Sequence, residues 1–252
     1  YKFGEEGETE EDFATRMAED LDRMIIEEGP ETVAAFFAEP IMGAGGVVTP
    51  PKTYFAKVQA VLKKHDVLFV ADEVICGFMR TGNYWACETF DIQPDILVCA
   101  KALSSSYLPI SGTIISDDIY QVIADASAKL GVFGHGYTYS GHSLACAAAL
   151  ATLEEYEAEK LFDRANSLEK CFEEHAHMLK DLDNVIDIRT IGLVAGIELK
   201  NREDGMGKRV YDVWEYCFEN NLLTRFTGET LAISPPLIVT EDQIKLIFDT
   251  IR

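Results

Sequence analysis

Positive charge is scarce in this chain. Its 252 residues carry 22 Lys and Arg against 43 Asp and Glu, a net charge of −21. Nucleic acid and anionic membranes both need a basic face to bind, so neither is expected as the main partner. The acid excess reads as a solvated surface. Long apolar runs are also missing, and none approaches the ~20 residues of a membrane-spanning helix. The six cysteines, at positions 76, 87, 99, 146, 171 and 217, form no Cys-x-x-Cys pair. In a chain of this size that argues against a disulfide framework or a zinc site, and for reduced, mostly buried thiols. No metal is expected. Residues 1–8 are acidic and show no signal-peptide pattern. The chain opens on Tyr1 rather than Met, which leads to the expectation of a processed chain or a fragment. What remains is a composition of 48% apolar and 26% charged residues. That suits a folded globular protein of one large domain or two modest ones.

Residues 69–103 organise the chain. Two short apolar runs, Phe69-Val70-Ala71-Asp72 and Asp95-Ile96-Leu97-Val98-Cys99-Ala100-Lys101, each end on one ionisable residue. Runs that are apolar throughout, rather than alternating, predict strands buried on both faces, as in a parallel sheet. Ligands bind such sheets beyond the carboxyl ends of the strands. Asp72 and Lys101 are therefore expected to meet at a crevice.

The surrounding pattern is α/β. A helix is predicted over 10–28, with Phe13, Met17, Leu21 and Met24 as its apolar stripe and Gly29-Pro30 as its stop. A buried strand over 33–38, a helix over 53–65 and a strand over 67–71 form a βαβ unit. The loop Gly43-Ala44-Gly45-Gly46 between them lacks a following Gly-Lys-Ser/Thr and is not Gly-x-Gly-x-x-Gly. It is thus neither a P-loop nor a dinucleotide fingerprint. Strands follow over 96–100 and 111–116, and Asp117-Asp118 is expected to cap the next helix. Helix dominates 143–182, with a break near 154–159. Strands over 185–189, 191–199 and 231–233 and a helix over 210–220 then change the texture to that of a small α+β domain. The boundary is placed near 155.

A lysine at the end of a buried strand is unusual, because burying an ammonium is costly unless it is paired or neutral. A lysine of depressed pKa is a nucleophile towards carbonyls. Pyridoxal 5′-phosphate (PLP) enzymes use such a lysine together with a carboxylate that keeps the pyridine nitrogen protonated. Asp72 and Lys101 fit those roles. A plain strand-end ion pair accounts for them equally.

Four ordered runs extend the argument: Phe37-Ala38-Glu39-Pro40-Ile41; Asp72-Glu73-Val74-Ile75-Cys76-Gly77-Phe78-Met79-Arg80-Thr81-Gly82; Pro94-Asp95-Ile96-Leu97-Val98-Cys99-Ala100-Lys101-Ala102-Leu103-Ser104-Ser105; and Thr138-Tyr139-Ser140-Gly141-His142. Together they resemble the class III PLP-dependent aminotransferases, in particular the ω-transaminase branch, over essentially the whole chain. The resemblance implies a fold-type I PLP-dependent transferase. Residues 1–155 would be a partial large domain with a mostly parallel sheet, and 156–252 the small C-terminal domain. It implies that Lys101 attaches PLP and shuttles a proton, that Asp72 pairs with the pyridine nitrogen, and that Val74 packs on the ring. Thr138, with the backbone at Tyr137, would bind the cofactor phosphate of the other subunit, which requires a homodimer. Arg225, in the segment Leu222-Leu223-Thr224-Arg225-Phe226-Thr227, would be the mobile arginine that holds a substrate carboxylate.

Departures from the family pattern refine this. Ala44 stands where relatives using a glutamate-derived acceptor often have an acid, and Ile75 where they often have Gln. Both point to pyruvate as the keto acid that receives the amine. Met79 stands where Gly is commoner. Family members are much longer at the N-terminus, where a phosphate-anchoring loop and a ring-stacking aromatic lie, so a C-terminal part of the enzyme is expected. An aminomutase, or a truncated inactive member acting as a dimerising partner, is the alternative. The compartment is expected to be the cytoplasm, or the mitochondrion if a transit peptide lies upstream.

Overall fold

The computed structural model describes residues 3–252 and arranges them around two four-stranded sheets. In the first, β1 (Ala35–Ala38), β2 (Leu68–Asp72) and β3 (Ile96–Cys99) run parallel, and β4 (Gly112–Ile115) is antiparallel. Their spatial order is β1-β2-β3-β4. Helix α1 (Glu10–Glu28) precedes β1, and α2 (Tyr54–His65) carries the chain from β1 to its parallel neighbour β2. The predicted βαβ unit is therefore present. A single turn, α3 (Ala86–Thr89), lies between β2 and β3, and α4 (Asp117–Leu130) follows β4.

Local chemistry sets the helix ends. The Thr9 hydroxyl accepts the Asp12 amide at 3.1 Å to open α1, and Gly29, at φ +91°, closes it before Pro30. At α4 the cap is Ser116, whose Oγ accepts the Ile119 amide, and not the expected Asp117-Asp118 pair. Those two acids occupy the first helical turn, where they favour the helix dipole. The buried face of α1 is also rotated from the predicted stripe. Phe13, Ala14, Ala18 and Ile25 are buried, and Met24 is exposed. Small alanines let α1 lie close along α2, and Asp22 on α1 pairs with Lys64 and His65 on α2.

The expectation of strands buried on both faces holds only on one side. Phe36 packs edge-on against Phe69, in a core shared with Phe55, Val58 and Leu62 of α2, whereas its neighbour Phe37 is 71% exposed. Side chains alternate along a strand. Helices α1 and α2 cover one face of the sheet, and among the described residues Phe37 and Ile114 have no cover on the other. Helix α4 likewise buries none of its residues.

The second sheet is antiparallel. It contains β5 (Val185–Ile191), β6 (Val194–Leu199), β7 (Arg225–Thr227) and β8 (Thr230–Ile233), in the order β5-β6-β8-β7. Sequence pattern does not predict β7. Helix α5 (Ser143–Ala158) leads into α6 (Leu161–His177) through Lys160, which sits in the left-handed region at φ +52°, at the predicted break. The expected boundary near 155 falls in the last turn of α5. The stripe Leu161, Ala165, Leu168, Phe172, Ala176 and Leu179 is wholly buried. It packs on β5 and β6 in a core shared with α7 (Lys208–Glu219) and α8 (Glu241–Ile251). Phe78 and Met79, which follow β2, belong to this same core. The two sheets are thereby joined through the segment that carries the central motif.

Candidate active site

Strands β2 and β3 end side by side. Asp72 pairs in register with Val98, and Lys101 follows three residues later. Beyond these ends, between the two sheets, lies a cleft of about 740 Å³. Lys101, Val74 and Arg225 line it, together with Ala44 and Ile75. Its charged lining residues are Lys101, Arg80 and Arg225, and no carboxylate is among them. Three cations facing one cleft, in a chain of net charge −21, select for an anionic ligand.

The lysine differs from the expectation of a buried strand end. β3 stops at Cys99, Ala100 is extended, and Lys101 opens a short 3-10 turn, Lys101–Leu103, at φ +46°. This reversal carries its side chain out of the sheet, and Lys101 is exposed at the cleft. The alternative of a strand-end ion pair is not realised. Lys101 makes no ion pair among the described residues, and Asp72 Oδ1 accepts the Val74 amide at 3.0 Å. Asp72 does not line the cleft wall and stands half-buried at its strand end. An accessible amine, a carboxylate on the neighbouring strand and the apolar Val74 between them fit the ring of PLP.

Tyr137 and Thr138 are elsewhere. Every residue from 131 to 144 is exposed, and 137–141 form a turn held by the Ser140 amide on the Tyr137 carbonyl and the Tyr137 amide on Ser140 Oγ, both at 2.9 Å. Neither residue lines the cleft of its own chain.

Three further residues build the cleft without being singled out by the sequence. Arg80 Nη1 donates to the carbonyls of Leu193 at 2.9 Å and Pro235 at 2.7 Å, which ties the central motif to the second sheet. Burial without a carboxylate partner pushes its pKa down to about 10. Beneath it, Gly192 turns β5 into β6 at φ +52°, and a Cβ there would lie 2.4 Å from the Arg80 carbonyl. Only glycine fits this hairpin. Arg189 holds the glycine-rich loop: its guanidinium donates to the carbonyls of Gly46 at 2.7 Å and Val47 at 3.1 Å, while pairing with Glu198 and Asp187. The loop that is neither P-loop nor dinucleotide fingerprint is thus a dock onto the second sheet. Tyr156, from the end of α5, lines the cleft beside Lys101.

The structure also accounts for Met79. Its φ is +73°, a left-handed conformation natural to Gly, and its side chain is 2% exposed in the shared core. The backbone strain is offset by burial. Glu39 accepts the Gly43 amide at 2.9 Å and does not line the cleft, which is a structural role. Burial pushes the Cys76 thiol up to about 12, so it is inert at neutral pH. Among the described residues no group of His, Cys, Asp and Glu could hold a metal ion, and no helix is long and apolar enough to cross a membrane.

Glu73, next to Asp72, is fully buried. Its Oε1 accepts the Cys87 amide at 2.7 Å and its Oε2 has no partner. Burial is the main cause that raises its pKa above the ordinary 4.5, with Glu88 adding to it and the Cys87 amide opposing it. A raised folded-state pKa means that the acid form stabilises the fold. That contribution is complete below 4.5 and is lost as pH rises through the raised value. Wild-type unfolding free energy should therefore fall with rising pH in this window, relative to Glu73→Gln, by up to about 1.4 kcal/mol per pH unit. Denaturant melts of both proteins at a series of pH values check this, and parallel curves would refute it.

A mostly parallel sheet that ends in a lysine-bearing turn beside a carboxylate, docked on a small antiparallel sheet, defines a fold-type I PLP-dependent transferase. The class III aminotransferase family model matches residues 1–252, and the chain belongs to that family, whose members are PLP-dependent enzymes. It is 45% identical over 251 residues to gamma aminobutyrate transaminase 3, chloroplastic, of Solanum lycopersicum, covering 97% of this chain and 48% of that protein. It is 43% identical over 256 residues to probable gamma-aminobutyrate transaminase 3, mitochondrial, of Oryza sativa subsp. indica, covering 98% and 50%. Among solved structures, the omega transaminase from Pseudomonas jessenii in complex with PMP matches with a TM-score of 0.97 at 43% identity, over 100% of this chain and 57% of that one. The chain spans about half the length of the curated relatives it matches.

Proposed function

We propose that this chain carries the lysine side of a transaminase site that moves an amino group from an amine or ω-amino acid to a keto acid, with pyruvate as the acceptor. The observation that carries this is the cleft itself: Lys101 and Arg225 face one space, Val74 lines it, and every charged group in its wall is a cation. PLP supplies the electron sink for the reacting carbon. Lys101 Nζ attaches the cofactor and moves the proton at the substrate carbon. Asp72 keeps the ring nitrogen protonated, and Val74 supports the ring. Arg225, exposed and without an ion pair among the described residues, is free to hold a substrate carboxylate or to swing aside for an amine that lacks one. Ala44 and Ile75 both line the cleft, so the acid that would restrain Arg225 is replaced by a methyl group, which favours pyruvate over a dicarboxylate acceptor. The relatives' names support an ω-amino acid such as γ-aminobutyrate as donor.

The working unit in this proposal is a two-fold homodimer. Along 120–150 the chain exposes Tyr120, Val122, Leu130, Val132, Tyr137 and Tyr139. So much contiguous apolar surface around the Thr138 turn suits burial against a second copy, where Tyr137 and Thr138 reach the cofactor phosphate of the other subunit. The cytoplasmic expectation competes with an organellar one, because the curated relatives are named as chloroplastic or mitochondrial.

Incubation with PLP, borohydride reduction and peptide mapping test the site. Cofactor fixed on Lys101 is expected, and label elsewhere or none would sink the proposal. An acceptor panel then separates pyruvate from 2-oxoglutarate. Arg225→Ala is expected to raise KM for carboxylate-bearing substrates by about tenfold to a hundredfold. Amines without a carboxylate should keep their KM, and equal losses on both classes would contradict the assigned role.

A further inference from the structure

The turn that presents Lys101 is strained. Lys101, Ser105 and Ser106 have φ of +46°, +47° and +67°, three left-handed non-glycine residues within six positions. Each such residue costs roughly 1–2 kcal/mol, and such a conformation persists only where its surroundings impose it. The turn's own hydrogen bonds are modest. The Leu103 amide reaches Ala100 O at 3.0 Å, Ser104 reaches Lys101 O at 3.2 Å, and Ser105 reaches Ala102 O at a long 3.4 Å. Two shorter bonds come from another element. Tyr156, on α5 and 54 residues away from Ala102, places its hydroxyl 2.7 Å from the Ala102 carbonyl and 2.6 Å from Ser105 Oγ. A carbonyl only accepts, so the single phenolic hydrogen goes to Ala102, and the Ser105 hydroxyl must donate to the Tyr156 oxygen. One side chain therefore grips both ends of the strained stretch. Its ring is held in turn, with its centroid 6.4 Å from that of Phe78 in the shared core.

We infer that Tyr156 is a positioning residue for Lys101, clamping the left-handed turn so that the amine stays presented to the cleft. The importance of that placement rests on the proposed role of Lys101; the clamp itself does not. Tyr156→Phe removes the hydroxyl and keeps the ring. Hydrogen exchange on the cofactor-free protein should show the amides of Leu103, Ser104, Ser105 and Tyr107 exchanging roughly three- to tenfold faster, with α5 and β2 unchanged. Ser105→Ala, which spares the Ala102 bond, should give a smaller rise. Borohydride-trapped attachment of PLP to Lys101 should slow in Tyr156→Phe, and Tyr156→Trp, which cannot reach the carbonyl with a hydroxyl, should not rescue it. Unchanged turn amides, or faster exchange spread evenly along α5, would overturn the clamp. If wild-type protein never attaches PLP at Lys101 while Tyr156→Phe frees the turn, the proposed function falls and the clamp stands. If attachment occurs at the same rate with and without the hydroxyl, and the turn amides are unchanged, the clamp falls and the proposed function stands.

Discussion

Replacing Lys101 with alanine is expected to abolish transamination, by at least about 10⁴-fold in turnover, while leaving the fold intact. The two halves of this prediction have separate causes. Chemically, Lys101 is the only lysine lining the cleft, so covalent attachment of the cofactor and proton movement have no substitute. Structurally, Lys101 is exposed and makes no ion pair among the described residues. Surface substitutions of that kind stay within about 0.5 kcal/mol, and alanine keeps the same backbone at φ +46°. Lys101→Arg sharpens the test. It retains the positive charge but cannot lose its proton to become a nucleophile, so it should be as inactive as alanine. The measurement is turnover and cofactor absorbance beside a thermal melt. Activity that survives in either variant would remove Lys101 from the chemistry, and a large fall in Tm would show that the turn is more structural than its exposure implies.

Replacing Arg189 with alanine should produce the largest loss of stability, about 3–5 kcal/mol. Arg189 is 7% exposed and its guanidinium is shared among Glu198, Asp187 and the carbonyls of Gly46 and Val47. Removing it strips the half-buried Glu198 of its cation and leaves two loop carbonyls without their donor. The cost is that of uncompensated buried charge rather than of one hydrogen bond. It is also local to function, because Gly43, Ala44 and Val47 line the cleft. A loosened loop should raise KM in addition to lowering the denaturant midpoint. Lys at this position keeps the charge but loses the planar fork, and should fall between the two. A loss below about 1 kcal/mol in Arg189→Ala would mean that the loop is held mainly by Thr227 Oγ1 on the Ala44 carbonyl, at 2.7 Å.

The elements with strong periodicity are those that sequence predicts well. Helix α1 runs over the expected residues because Thr9 and Gly29-Pro30 are local stops, and the stripe of α6 is buried as its spacing requires. β7 was not predicted, since three residues carry no period and its pairing with β8 is a tertiary event. The buried face of α1 was misjudged because hydropathy favours methionine over alanine, whereas a close helix–helix approach favours the smaller side chain. For the site, Asp72, Val74, Lys101 and Arg225 were legible through motif and residue chemistry. Arg80, Arg189 and Tyr156 were not, because each acts on a backbone carbonyl distant in sequence, and a carbonyl has no sequence signature.

What the sequence determines by itself is the chemistry available: a lysine and an acid ending neighbouring apolar strands, an arginine in a late segment, and a family likeness across the whole chain. Tertiary structure decides how those groups stand. The parallel register sets Asp72 beside Val98, and the left-handed turn moves Lys101 from a buried strand end into the open cleft. The docking of one sheet on the other through Arg80 and Arg189 brings Arg225 to the same space. Residue type is local and covalent, whereas placement depends on contacts between segments more than a hundred residues apart, and these exist only once the chain has folded.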